Sequence, residues 1–186
     1  MKKLLLLISI TLLVFSCGKH NAYTINGDLP SNKYDGEWVY LTPAEDANST
    51  NIDSVRIKDG KFTFTGDSER VSIIRMKPIL RLKVQELLVV TEEGTITVHI
   101  GANSTCSGTS QNDLLQEWKD VMMARNKKFT AMMDAKQDST GKKDASALTK
   151  QYFESEKDVE KVTLKIIHDH QGSTLQKFLT NLTGKR

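Results

Sequence analysis

The sequence predicts an α+β fold, an antiparallel β-sandwich of about seven strands followed by an α-helical hairpin. Three observations lead there. Between Tyr23 and Ile100 apolar and polar residues alternate in short runs rich in Val, Ile, Thr and Phe, with turn residues between them. After Gly101 the apolar period changes to three and four, the spacing of an amphipathic helix. At 38% hydrophobic and 26% charged, the 186 residues can bury a core but cannot supply several membrane spans.

The predicted strands are Thr24–Leu29, Glu37–Leu41, Asp53–Lys58, Lys61–Thr65, Val71–Met76, Glu86–Thr91 and Thr95–Ile100. A weaker run, Leu80–Val84, is interrupted on its approach by Pro78. Asp59-Gly60 suits a two-residue type I′ turn, which pairs Lys58 with Lys61, Ile57 with Phe62 and Val55 with Phe64. Val55, Ile57, Phe62 and Phe64 then share the core face, and a one-residue slip would expose both phenylalanines. A second hairpin runs through Glu92-Glu93-Gly94, with Ile96, Val98 and Ile100 inward and His99 outward.

Leu115, Trp118, Met122, Phe129 and Met132 form the stripe of the first helix. Ser110, three residues before Asp113, resembles a capping box and places the helix start near residue 111. Asp134 to Ala147 is polar and contains Gly141, which predicts a loop or a frayed helix end. Leu148, Tyr152, Val159, Val162 and Ile166 carry the stripe onto a second helix. Gln171-Gly172-Ser173 stops it, and Ser173 can cap a short final helix through Leu182.

The N-terminus carries a different signal. Met1-Lys2-Lys3, the apolar run Leu4 to Phe15 and then Ser16-Cys17 read as a secretory signal peptide, since a dozen apolar residues are too few to span a bilayer. Val14-Phe15-Ser16-Cys17 resembles a lipobox, although Phe15 is bulkier than usual there. Cys17 is then the acylated first residue of the mature chain, because the lipid is attached through sulfur. The expected division is residues 1–16 as lipoprotein signal peptide, 17–22 as lipidated linker, 23–106 as β-sandwich and 107–186 as helical region. Gly18, where an Asp would favour the inner membrane, points to the outer membrane and a periplasm-facing position. The expected partners are the membrane, through the lipid anchor, and a protein of the periplasm. Of 26 basic and 23 acidic residues, Lys2 and Lys3 leave with the signal peptide, so 24 face 23. That balance provides no basic footprint for a nucleic acid.

Candidates for chemistry are few. The chain's two cysteines, Cys17 and Cys106, cannot form a four-cysteine zinc site, an iron–sulfur cluster or a disulfide scaffold. Cys106, unpaired in an oxidising compartment, is a possible redox contact for a thioredoxin-like partner or a second copy of the chain, or else a half-buried residue ending the last strand. His168 and His170 flank Asp169, but helical residues two apart lie about 200° apart, so the rings diverge. His99 has no carboxylate at ligand spacing in the sequence, and His20 lies in the linker. Met122, Met123, Met132 and Met133 either pack against the partner helix or face a client. No phosphate-binding loop, Gly-x-Ser-x-Gly or His-Glu-x-x-His occurs. The expectation is no catalytic residue, no cofactor and no metal.

One order of motifs has a family likeness. Behind the lipobox come Tyr23-Thr24-Ile25-Asn26-Gly27-Asp28-Leu29-Pro30 and Gly36-Glu37-Trp38-Val39-Tyr40-Leu41. The hairpin from Asp53 to Gly66 follows, and then Ser107-Gly108-Thr109-Ser110-Gln111-Asn112-Asp113, opening a helix. Over about residues 22–182 this resembles the domain of unknown function at the N-terminus of many thiol:disulfide interchange lipoproteins of diderm bacteria. The resemblance implies a small β-sandwich, a helical segment and then a thioredoxin-like domain bearing Cys-x-x-Cys. No Cys-x-x-Cys exists here, so that chemistry transfers to no residue of this chain. The expectation is a membrane-anchored, periplasm-facing, non-catalytic binding or accessory module. The alternative is the accessory or truncated half of a thiol:disulfide interchange system. An enzyme or ligand carrier of another type would need a deep apolar pocket with convergent polar groups.

Overall fold

The computed structural model describes residues 22–138 and 144–185, so the signal peptide, Cys17 and His20 lie outside the described residues. The described strands are β1 (Tyr23–Asp28), β2 (Trp38–Pro43), β3 (Asp53–Arg56), β4 (Lys61–Gly66), β5 (Val71–Met76), β6 (Leu87–Val90), β7 (Gly94–His99) and β8 (Thr105–Ser107). They form two four-stranded sheets, ordered β4-β1-β7-β8 and β3-β2-β5-β6. Three helices follow, α1 (Ser110–Gln137), α2 (Ala145–Asp169) and α3 (Thr174–Thr183). The α+β class and the sandwich-then-helices order are those the sequence predicts. One pairing departs from the antiparallel rule, since β1 and β7 run parallel.

Both predicted hairpins prove to be crossings between the sheets. Asp59 and Gly60 adopt the type I′ conformation, with φ of 53° and 68°. Lys58 and Lys61 exchange both hydrogen bonds, at 2.9 and 3.0 Å. There the pairing ends. Ile57 donates to the Glu37 carbonyl and accepts from Gly36, so β3 continues along β2, while β4 pairs with β1. The Asp35 carboxylate accepts from the N–H groups of Asp59 and Gly60 at 3.0 and 2.8 Å, which fastens the turn to the mouth of the sandwich. Ile57–Phe62 and Val55–Phe64 are therefore not ladder pairs. All four side chains still pack on the core, from opposite sheets. The Glu92-Glu93-Gly94 segment likewise carries the chain from β6, which pairs with β5, to β7, which pairs with β1 and β8. Ile96, Val98 and Ile100 are buried and His99 is exposed, as the alternation requires. The weak run near Leu80 is a 3-10 turn, Pro78–Leu82, and β8 had no counterpart among the predicted strands.

The N-cap of α1 is Thr109 rather than Ser110, and Asp113 accepts from the Gly108 N–H at 3.0 Å. The polar stretch from Asp134 is helical to Gln137 and helix resumes at Ala145, which fits the helix-end alternative at its flanks. Met132 and Ala135 are buried there, so tertiary packing outweighs the polar composition. Gly141 lies outside the described residues. Ser173 caps α3 as expected, accepting from Gln176 at 3.1 Å. Leu115 and Trp118 of α1, Ile166 and Ile167 of α2, and Leu175 and Leu179 of α3 join the sandwich residues in one buried cluster.

Candidate functional site

Cys106 sits on β8 beneath α1 and is 2% exposed. Its Sγ lies 3.6 Å from the Asn112 carbonyl and 3.8 Å from that of Leu88. Burial pushes the thiol up to about 11, and the neighbouring Lys119 ammonium only partly opposes this. Lys119 is itself buried, which lowers its pKa; its Nζ donates to the Ser104 carbonyl at 2.9 Å and to Gln116 Oε1 at 3.3 Å. Disulfide exchange needs an accessible thiolate, and here the sulfur is covered and protonated.

His170 is the cap that ends α2 and lies outside the helix. His168 contacts its neighbour Asp169 at 2.9 Å in solvent. His99, by contrast, does have a carboxylate: both Asp28 oxygens lie within 2.9 Å of its Nδ1, across the parallel β1–β7 pair. The two residues are 71 positions apart, so spacing alone could not bring them together. Among the described residues no group of three or more His, Cys, Asp or Glu side chains could hold a metal ion.

A groove of about 620 Å³ opens where α1, α2 and the end of α3 meet, lined by Trp118, Met122, Arg125, Phe153, Glu156 and Leu182 among others. Its floor is fixed by the buried Trp118 indole, whose Nε1–H donates to Thr163 Oγ1 at 3.0 Å. Phe153 and Leu182 on its walls are each 57% exposed. Tyr152 bridges Phe153 to Phe129, with ring centroids 5.4 and 5.5 Å apart. A hydrogen bond to Glu156 raises the Tyr152 hydroxyl's pKa, and Arg125 pairs with the same carboxylate at 3.4 Å. The methionine stripe divides: Met132 is buried, Met122 lines the groove and Met133 is exposed. Phe129 meets α2 through Tyr152, as its place in the stripe predicts, but stays 42% exposed beside the groove. Phe153 and Leu182 were not singled out, since a lone apolar residue on a polar face carries no signal of its own.

A family profile described as a domain of unknown function, DUF4369, matches residues 23–115, half of the chain. The chain belongs to this family. The DUF4369 match spans all eight described strands and ends in the second turn of α1, three residues before Trp118. Cys106 and the Asp28–His99 pair therefore lie within the DUF4369 segment, and the groove lies outside it. No curated protein matches the chain, and no solved structure does.

Proposed function

We propose that this DUF4369 protein is a lipid-anchored, periplasm-facing module that binds a protein partner through the helical groove and carries out no catalysis of its own. The groove supports the binding half of this reading: aromatic and aliphatic side chains stay exposed around a floor fixed by a buried tryptophan. The signal peptide and lipobox sequence support the anchor. The accessory redox alternative draws no comparable support, because Cys106 is covered.

Metabolic labelling with an alkyne fatty acid tests the anchor, with Cys17→Ser as control. Label on the wild type alone is expected, and an unlabelled wild type would overturn the anchor. A photo-crosslinking residue at position 153 tests the groove. It should give one discrete adduct that Leu182→Glu abolishes, while the same probe at Thr63, exposed on β4 at the sheet edge opposite β8, gives none. Equal yields at both positions would remove the groove from the reading.

A further inference from the structure

The outer face of the β3-β2-β5-β6 sheet combines an exposed and a half-buried aromatic ring with guanidinium groups, and neither the groove nor the lipid anchor uses it. β2 places Trp38 and Tyr40 on this face, two residues and so roughly 6.6–6.8 Å apart along the strand. Trp38 lies opposite Arg56 on β3; Tyr40 lies between Ser54 on β3 and Arg75 on β5. The Arg56 guanidinium stands 4.4 Å from the Trp38 ring centroid, and Trp38 is still 40% exposed. Beside them Lys77 holds Glu37 at 2.6 Å, while Arg75 and Arg81 share Glu86 at 3.4 and 2.8 Å. Among the described residues Arg75, Lys77 and Arg81 pair with Glu37 and Glu86, while Arg56 has no carboxylate partner and donates from one Nη to the Gly36 carbonyl.

From this juxtaposition we infer that the face binds an acidic carbohydrate chain, its sugar rings against Trp38 and Tyr40 and a carboxylate or phosphate group on Arg56. The C–H face of a pyranose is apolar and packs on an aromatic ring, whose polar edge stays wet. A guanidinium takes a carboxylate or phosphate through two parallel hydrogen bonds and stacks on an indole at the same time. Rings at alternate positions of one strand present an extended platform, which suits a polymer lying along β2. A nucleic acid would need a basic footprint, which a chain of 24 basic against 23 acidic residues without its signal peptide lacks. A protein helix would need apolar side chains on all sides of the rings, whereas here Ile73 and Leu88 lie on one side and Arg56, Arg75 and Ser54 flank the rest.

Calorimetric titration of the purified protein with a short oligogalacturonate tests the inference, against a neutral galactan oligomer, polyglutamate and oligo-dT. Saturable binding of oligogalacturonate is expected, about tenfold or more tighter than the neutral oligomer. Arg56→Ala and Trp38→Ala, each shown to melt cooperatively, should weaken it by a similar factor. Failure to saturate overturns the inference, as does binding that Trp38→Ala leaves unchanged. Equal affinity for polyglutamate would reduce the face to a general anion surface, and a preference for oligo-dT would assign it to nucleic acid. Either result overturns the carbohydrate reading.

Discussion

Asn112, in the first turn of α1, holds the backbone of Val90 at both ends: its Oδ1 accepts from the Val90 N–H at 2.9 Å and its Nδ2 donates to the Val90 carbonyl at 2.7 Å. One side chain thus imitates a neighbouring strand for β6. Gln116, one turn on, accepts from the Cys106 N–H of β8 at 3.0 Å. Because β6 and β8 are the outer strands of their sheets, α1 satisfies edge groups on both with amide side chains. Asn112→Ala leaves two buried backbone groups without partners and should cost about 2–4 kcal/mol in urea unfolding. Asn112→Asp keeps the acceptor but turns a carboxylate oxygen towards the Val90 carbonyl, so it should cost at least as much. A loss under about 1 kcal/mol for the alanine variant would show that water reaches this edge.

Glu92 supplies the cap that Thr109 does not. Its Oε1 accepts from the Gln111 and Asn112 N–H groups at 2.6 and 3.2 Å, while the Thr109 side chain makes no cap hydrogen bond. The carboxylate also meets the positive end of the helix dipole. Glu92→Ala should lower stability by about 1–2 kcal/mol and Glu92→Gln, which keeps an acceptor, by about 0.5–1 kcal/mol. Thermal melts that rank the two variants the other way would mean that the glutamate serves a different contact.

Phe62 of β4 lies over Gly27 of β1, its partner in the ladder. A Cβ on Gly27 would stand 2.0 Å from the Phe62 Cζ and 2.4 Å from both Cε atoms. The ring cannot simply swing away, because it also packs edge-on against Phe64 at 5.8 Å. Gly27→Ala should therefore cost about 1–3 kcal/mol through overpacking. Adding Phe62→Leu should recover part of that loss, and a double-mutant cycle measures the coupling. Strict additivity would place the strain elsewhere.

Alternation along each strand was enough to separate inward from outward residues, because that depends only on the pleat. Ile96, Val98, Phe62 and Phe64 are buried and Lys61, Thr63 and His99 exposed on that ground alone. Strand partners were not legible. Asp59-Gly60 encodes the local turn, but whether β3 and β4 stay together depends on Glu37, Gly36 and Asp35, more than twenty residues upstream. The parallel β1–β7 pair, and with it the Asp28–His99 contact, is a consequence of that same long-range choice. In the helices, the stripe revealed the seam but not which of its members the third helix leaves open. Phe153 and Leu182 line the groove from different helices, and nothing in either one's local sequence names the other.

The Cys106 site predicts a pH dependence whose sign follows from its burial. The thiol's pKa rises from its ordinary 9.0 to about 11 in the fold. Between those values the unfolded chain has lost the proton while the folded chain keeps it, so stability falls as pH rises through that window. The loss should be on the order of 2–3 kcal/mol by pH 11. Lys119 acts in the opposite sense: burial lowers its pKa, so the unfolded chain binds the extra proton, and stability rises with pH towards the ordinary value of 10.5. A wild-type profile alone therefore mixes two slopes. Cys106→Ala removes the falling limb, and without the thiolate beside it Lys119 is lowered further, which adds to the variant's gain as pH rises. The stability difference between wild type and this variant should then shrink, in favour of the variant, by about 2–3 kcal/mol between pH 8 and 11. A difference that stays constant would mean that the thiol titrates near its ordinary pKa and that the site under α1 opens readily. Cys106 would then react with a thiol reagent far faster than global unfolding allows, and the accessory redox reading would have the accessible thiolate it now lacks.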